Sequence, residues 1–222
     1  MKEIILKSKI FKNIEENEVD LLLKCINNYR KTFKKGEIIL REGEKTEYMG
    51  IVITGSVVVE RADLWGNNTV LGVISPGGIF AETYSILNDE PLMINVYANE
   101  KSEILFLRTN EIFKTCEKSC NFHDQLILNL IRIASFKNLN LSRKILHTGP
   151  KTIRGKLLSF FSEWVKKEKS LSFSIPYNRQ QLADYLSVDR SAMSNELSKM
   201  QKEGILEFKK NKFKIIDKNI IF

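Results

Sequence analysis

Asn178-Arg179-Gln180-Gln181-Leu182-Ala183-Asp184-Tyr185-Leu186-Ser187-Val188-Asp189-Arg190-Ser191-Ala192-Met193-Ser194-Asn195-Glu196-Leu197-Ser198-Lys199-Met200 carries the strongest structural signal in the chain. Asn178 followed three residues later by Gln181 is a capping-box start for a helix. Leu182, Ala183 and Leu186 give that helix one short apolar face. Ser187-Val188-Asp189 makes a turn, with Val188 as its buried plug. Asp189 caps a second helix whose apolar side is Met193, Leu197 and Met200. Ala183 is small where the second helix crosses closely. Two short helices joined by such a turn make a helix-turn-helix. In that motif the second helix fits the major groove and presents its early side chains to base edges.

The residues on either side extend the pattern. Gly204 to Ile216 alternates about a polar turn at Asn211, which predicts a β-hairpin, or wing. Its lysines, Lys210 among them, either meet phosphates or solvate an exposed hairpin. Upstream, Leu171-Ser172-Phe173-Ser174-Ile175 reads as a strand. Thr152 to Lys167 reads as a helix with Ile153, Leu157, Phe160, Phe161 and Trp164 inward. Thr148-Gly149-Pro150 marks a boundary and hinge, with the proline in a first helical turn and the threonine as its cap. Before it, Glu111 to Leu146 runs without proline or glycine. Ile127, Leu130, Ile131, Ala134 and Leu141 fall near one face of that helix, with Leu126 and Ile133 beside it. A stripe this long predicts a subunit interface.

The first half has a different texture. Phe33 to Glu44, Gly50 to Glu60, Val70 to Ile74, Ile94 to Ala98 and Ser102 to Leu107 are short β-prone runs with frequent turn signals. They predict a sandwich or barrel closed by about residue 110. Glu15 to Cys25 precedes them as a short amphipathic helix, with Val19, Leu22 and Leu23 at helical spacing. The expected class is α+β. The expected parts are a β domain over 1–110, a dimerisation helix and hinge over 111–147, and a winged helix-turn-helix over 148–222.

The 222 residues carry a net charge of +8, unevenly spread. From Thr148 to Phe222 there are 15 Lys and Arg against 8 Asp and Glu, and the remainder of the chain is close to neutral. A basic small domain beside a near-neutral one either meets a polyanion or has a solvated basic surface. No apolar run approaches the roughly 18 residues of a membrane helix, and the apolar start is too short for a signal peptide. The cytoplasm is the expected compartment, with no membrane partner. Cys25, Cys116 and Cys120 are too few and too sparse for a disulfide framework. Cys116 and Cys120 can share a helix face, but no histidine cluster or second cysteine pair joins them as a zinc site. With only His123 and His147, a cupin-type metalloenzyme lacks its ligands, and no hydrolase or nucleotide-loop motif is present. No enzyme activity, metal or cofactor is expected. A small-molecule-binding module acting through protein contacts is the rival to a DNA-binding role, and the basic C-terminal part and Arg190 weigh against it.

Taken in order, Lys35-Gly36 through Gly43-Glu44 to Gly55, then Pro76-Gly77-Gly78-Ile79-Phe80-Ala81-Glu82, then Asn178 to Leu206, resemble the Crp/Fnr family of bacterial transcription regulators. The resemblance covers nearly the whole chain. It implies a cyclic-nucleotide-binding-type double-stranded β-helix, jelly-roll-like, then a long dimer helix and a winged helix-turn-helix. It also implies a homodimer on a palindromic promoter site in double-stranded DNA, a small-molecule effector, and RNA polymerase as a partner if the protein is an activator.

Arg190 matches the family position that commonly reads a guanine, a role its bidentate donors suit. Ser191 and Asn195 depart from the family's usual glutamate and arginine, so the half-site should differ from that of the best-known members. Asn195 either pairs with adenine or bonds solvent or phosphate. Arg179 and Gln180 match positions near the DNA backbone. The implied DNA-contacting set is Arg179, Gln180, Arg190, Ser191, Ser194, Asn195 and Lys210.

The implied effector pocket is Gly78, Phe80, Ala81, Glu82, Leu92 and Met93. Where nucleotide-binding relatives have Gly-Glu and Arg-Ser, this chain has Ala81-Glu82 and, aligned without gaps, Leu92-Met93. A cyclic phosphate buried there without its cation would lose several kcal/mol in desolvation. Cyclic AMP is therefore not the expected ligand. The site is filled by its own side chains, packs as an inert core under the long helix, or opens to a weakly polar or aromatic metabolite oriented by Glu82.

Overall fold

The computed structural model describes residues 8–62, 68–113 and 121–217. Cys116 and Cys120, with the part of the expected long helix that contains them, lie outside these residues. The chain divides into two compact units, Met1–Ser135 and Phe136–Phe222.

The first unit contains strands β1 (Asn28–Phe33), β2 (Ile38–Leu40), β3 (Tyr48–Thr54), β4 (Val57–Ala62), β5 (Asn68–Ile74), β6 (Ile79–Phe80), β7 (Asn95–Ala98) and β8 (Ser102–Arg108). They form two four-stranded sheets, ordered β1-β8-β3-β6 and β2-β7-β4-β5, with antiparallel pairing throughout. The run from Gly50 to Glu60, read as one strand in the sequence, is broken at Gly55-Ser56 and supplies a strand to each sheet. Gly55 has φ +73, and a Cβ there would lie 2.4 Å from Ser102 Oγ. Only glycine takes that turn without strain.

Strand β3 is buried on both faces, which is why it reads as a continuous apolar run. Met49, Ile51 and Ile53 face one apolar cluster, and Val52 faces another. Strand β8 divides the same way, with Leu105 and Leu107 on one side and Ile104 and Phe106 on the other. The interior cluster also holds Phe33, Val57, Phe80 and Val96. Gly50 is required beside it, because a Cβ there would lie 2.2 Å from the Phe80 ring.

The other cluster is covered by α1 (Glu16–Cys25), while α2 (Glu82–Leu87) and α3 (Thr109–Ile112) follow β6 and β8. Helix α4 (Asn121–Thr148) buries Leu126 and Leu130 in that cluster, with Ile127 and Ile133 at its margin. The buried Asn129 amide donates to the carbonyls of Ile10 at 2.9 Å and Lys12 at 2.7 Å. It thus fixes the helix to the N-terminal turn. The stripe expected to be an interface is therefore divided: Leu130 belongs to the unit's own core, whereas Ala134 is exposed and Leu141 is 62% exposed.

The second unit contains α5 (Ile153–Glu168), β9 (Ser172–Ser174), α6 (Arg179–Leu186), α7 (Arg190–Lys202), β10 (Leu206–Lys209) and β11 (Lys212–Ile215). The strands pair as a three-stranded antiparallel sheet ordered β10-β11-β9. Thr152, rather than Thr148, caps α5 by accepting the Gly155 N–H at 3.0 Å. Pro150 lies before this cap and not in the first turn. Val165 takes the core position expected of Trp164, which is only half-buried. Phe160, Phe161, Leu182, Leu197 and Phe213 anchor the core. Burying side chains of this size stabilises the unit by about 1.5–3 kcal/mol each.

Candidate nucleic-acid interface

Local chemistry sets the angle at which α7 leaves the turn. Asn178 accepts the Gln181 N–H at 2.9 Å, and Gln181 Oε1 accepts the Asn178 N–H at 2.9 Å, completing the capping box of α6. Ser187 ends that helix in the left-handed region, with φ 52 and ψ 58. Val188 is half-buried against the core rather than fully enclosed. Asp189 Oδ1 accepts the Ala192 N–H at 2.8 Å and the Ser191 hydroxyl at 2.5 Å. These bonds hold its carboxyl below the ordinary carboxylate range.

With Met193, Leu197 and Met200 fully buried, the opposite side of α7 must face outward. That side carries Ser191, Ser194, Asn195 and Ser198, and Arg190 stands at the exposed start of the helix. Arg190, Ser191 and Asn195 are exposed and Ser194 is partly so. Ser194 and Ser198 bond back to the carbonyls of Arg190 and Ser194 at 2.9 and 3.0 Å, so their hydroxyls lie close to the helix. Arg190 and Asn195 are the long polar groups left to project. Lys210 stands exposed at the wing turn with φ 55.

Arg179 is placed differently from the rest of the expected set. Its guanidinium carbon lies 4.7 Å from the Phe208 ring centroid and 5.1 Å from that of Phe213, and burial lowers its pKa. It ties the start of α6 to the wing. Gln180 is exposed and donates to Asp184 at 2.7 Å.

In the first unit, Phe80, Ala81, Glu82 and Leu92 are buried, and Gly78 is half-buried. Phe80 meets Phe106 edge-on at 6.4 Å inside the roll. Ala81 caps α2 from the left-handed region with φ 59, and Glu82 opens that helix. Met93 does not line this interior, being 56% exposed.

The comparisons agree with this two-part arrangement. Residues 30–119 match the cyclic nucleotide-binding domain, and residues 155–219 match the Crp-like helix-turn-helix domain. The chain belongs to the Crp/Fnr family. Like other Crp/Fnr members, it is a transcriptional regulator with a helix-turn-helix DNA-binding domain. It is 19% identical to the transcriptional activator protein FnrL of Cereibacter sphaeroides over 194 residues, 80% of this chain and 72% of that one. It is 21% identical over 205 residues to a CRP-like cAMP-activated global transcriptional regulator of Mycobacterium tuberculosis, covering 92% and 90% of the two chains. The fold of the first unit is shared with a cyclic nucleotide-binding domain from Methylobacillus flagellatus, at a TM-score of 0.52 and 18% identity, over 62% of this chain and 76% of that one.

Two residues of this Crp/Fnr regulator support the site without being singled out by sequence. Arg154 at the start of α5 donates to Glu196 at 2.6 Å and, through both terminal nitrogens, to Glu203 at 2.7 and 3.0 Å. It thereby clamps α7 from its flank. Lys156 donates to the carbonyls of Leu186 and Ser187 at 3.2 and 3.3 Å, stabilising the end of α6 at the turn. Neither has a motif, because each acts across more than 29 residues of chain, on partners set only by tertiary packing.

Proposed function

We propose that the protein is a homodimer that binds a two-fold symmetric site in double-stranded DNA through α7, and that its signal is not a cyclic nucleotide. The observation carrying the reading is the outward face of α7, polar along its length and headed by Arg190 at a capped N-terminus. Arg190 is assigned to a guanine, Asn195 to a neighbouring base edge, and Gln180, Ser191, Ser194 and Lys210 to the phosphate backbone or nearby edges. Arg179 joins them as the residue that holds the wing to α6.

The dimer reading draws on α4. Leu128, Ile131, Leu139 and Leu146 are 40%, 55%, 47% and 68% exposed. At about 100° per residue they fall within roughly 80° of arc, on the side away from Leu126 and Leu130. Ser135 and Ser142 lie in the same seam and are small enough for close helix approach. A self-complementary stripe pairing with its own copy gives an isologous two-fold interface. The same two-fold axis would present two copies of α7 to two half-sites.

For the signal, the aromatic filling of the roll by Phe33, Phe80 and Phe106 supports an interior closed by its own side chains. Leu92-Met93 offers no cation to a cyclic phosphate. Selection of bound sites from random duplexes, run with and without cyclic AMP, tests the proposal. The expected outcome is a symmetric consensus recovered equally well in both arms. A consensus without two-fold symmetry would overturn the dimeric reading, and a tenfold or greater gain with cyclic AMP, about 1.4 kcal/mol, would overturn the reading of the roll.

A further inference from the structure

The second unit holds a cleft of about 310 Å³ to which neither α7 nor the wing contributes a lining residue. Phe160, Trp164, Tyr177 and Tyr185 form its aromatic side. Phe160 packs against the other three at centroid distances of 6.3, 6.0 and 5.5 Å, and Tyr177 and Tyr185 are 5.4 Å apart. The polar side is a continuous relay. Glu163 accepts from His147 Nε2 at 2.9 Å and pairs with Arg143 Nε at 3.2 Å. Since a carboxylate only accepts, Nε2 carries the proton, and Nδ1 accepts from the Tyr185 hydroxyl at 2.9 Å. Burial keeps His147 below its ordinary range and pushes Tyr185 up to about 12, so both are neutral near pH 7.

Each Glu163 oxygen has one partner in the relay, whereas the two cations of the cleft are only partly engaged. Arg143 has five N–H donors, of which Nε faces Glu163 and one terminal nitrogen reaches Asn140 at a long 3.5 Å. Lys167 places its ammonium 4.4 Å from the Trp164 ring centroid. With Arg143 and Lys167 positive and Glu163 negative, the lining carries one net positive charge. A neutral ring would leave that charge unmatched, and a dianion would add negative charge beside Glu163.

We propose that this cleft is a binding site for a small aromatic monocarboxylate, with its ring against Trp164 and Tyr177 and its carboxylate on Arg143 and Lys167. The volume is at the small end for ligand sites, which suits one ring and one acid group. The guanidinium matches a carboxylate in shape and charge. The site is independent of the roll and of the reading of α7.

Calorimetry on the full chain with 4-hydroxybenzoate, and with benzamide as the uncharged control, tests it. The expected result is one saturable site with Kd below about 1 mM, a range open to compact ligands with efficient contacts. Benzamide should bind at least about tenfold more weakly, the loss expected for a charge-assisted hydrogen bond. Lys167→Gln should weaken 4-hydroxybenzoate by a similar factor, and because Lys167 is exposed the fold is preserved. Absence of saturation up to about 10 mM, equal binding of benzamide, or unchanged affinity in Lys167→Gln would each overturn the proposal.

Discussion

Helices α4 and α7 bury their inner faces in the same way and differ in what they turn outward. Helix α7 sets Met193, Leu197 and Met200 into its core, shows asparagine and serines on the other side and exposes Arg190 at its start. Helix α4 sets Leu126 and Leu130 into its core and shows Leu128, Ile131, Leu139 and Leu146. An exposed polar face is stable in water and gains from a partner rich in donors and acceptors. An exposed apolar seam of this length gains most from being covered by another apolar surface. The two outer faces therefore point to two kinds of partner, nucleic acid for α7 and a second copy of the chain for α4.

The largest effects should come from placing one charge on each side of α4. Leu130→Asp puts an unpaired carboxylate into the closed core of the first unit, where Leu130 is 2% exposed. A loss of about 4–5 kcal/mol is expected, enough to unfold a domain at the low end of the usual stability range. Circular dichroism and thermal melting would show it. Leu139→Asp puts the same charge into the seam. The monomer should keep its fold, while association weakens by about 3–4 kcal/mol because two like charges meet across the two-fold axis. Sedimentation velocity at micromolar concentration would read that loss. A wild type that sediments as a monomer breaks the comparison, since the seam would then have no copy to cover it.

Next in size is the outward face of α7. Arg190→Ala should lose about 1–3 kcal/mol of discrimination at one guanine in each half-site, leaving other positions unchanged. Lys210→Ala, at the wing turn, should weaken all sequences alike and make the salt slope shallower by about one unit. Competition binding against a set of single-base variants separates the two patterns. If Arg190→Ala weakens every sequence equally, Arg190 is a backbone contact, and the reading head lies further along the helix, near Asn195.

Much of this was legible in the sequence, and the reason differs by region. The helix-turn-helix was readable because its signals are local: Asn178 with Gln181, and Asp189 ahead of Ala192, cap within four residues. The β runs showed themselves through apolar character, but their division between sheets did not, because Gly55 acts through its backbone angle and its distance to Ser102. The long helix misled for a related reason. A periodic stripe shows that residues share a face without saying which apolar surface covers it, so Leu130 in a core and Leu141 in solvent read alike. Asn129, Arg154 and Lys156 were silent, since their partners are 30 to 119 residues away. In the roll, Met93 was placed in the pocket by alignment alone, and alignment does not encode burial, which leaves Met93 56% exposed.

The smallest effect expected concerns the turn that decides which side of α7 faces out. Ser187 sits at φ 52 and ψ 58, where a Cβ crowds the following carbonyl, at about 1–2 kcal/mol for a residue other than glycine. Its N–H bonds to the carbonyls of Ala183 and Asp184, and its own carbonyl receives Lys156. All of these are backbone groups that glycine also has. Ser187→Gly relieves the strain but gives the unfolded chain more freedom, which offsets about 0.4–1 kcal/mol. A net gain of roughly 0.5–1 kcal/mol remains, or about 1–4 °C in melting midpoint for a chain of this size. The base preference should not change, because Ser187 precedes α7 and is absent from its outer face. A lowered midpoint would mean that the Ser187 side chain holds the turn. An altered preference would mean that the turn, and not only the helix face it orients, takes part in reading the site.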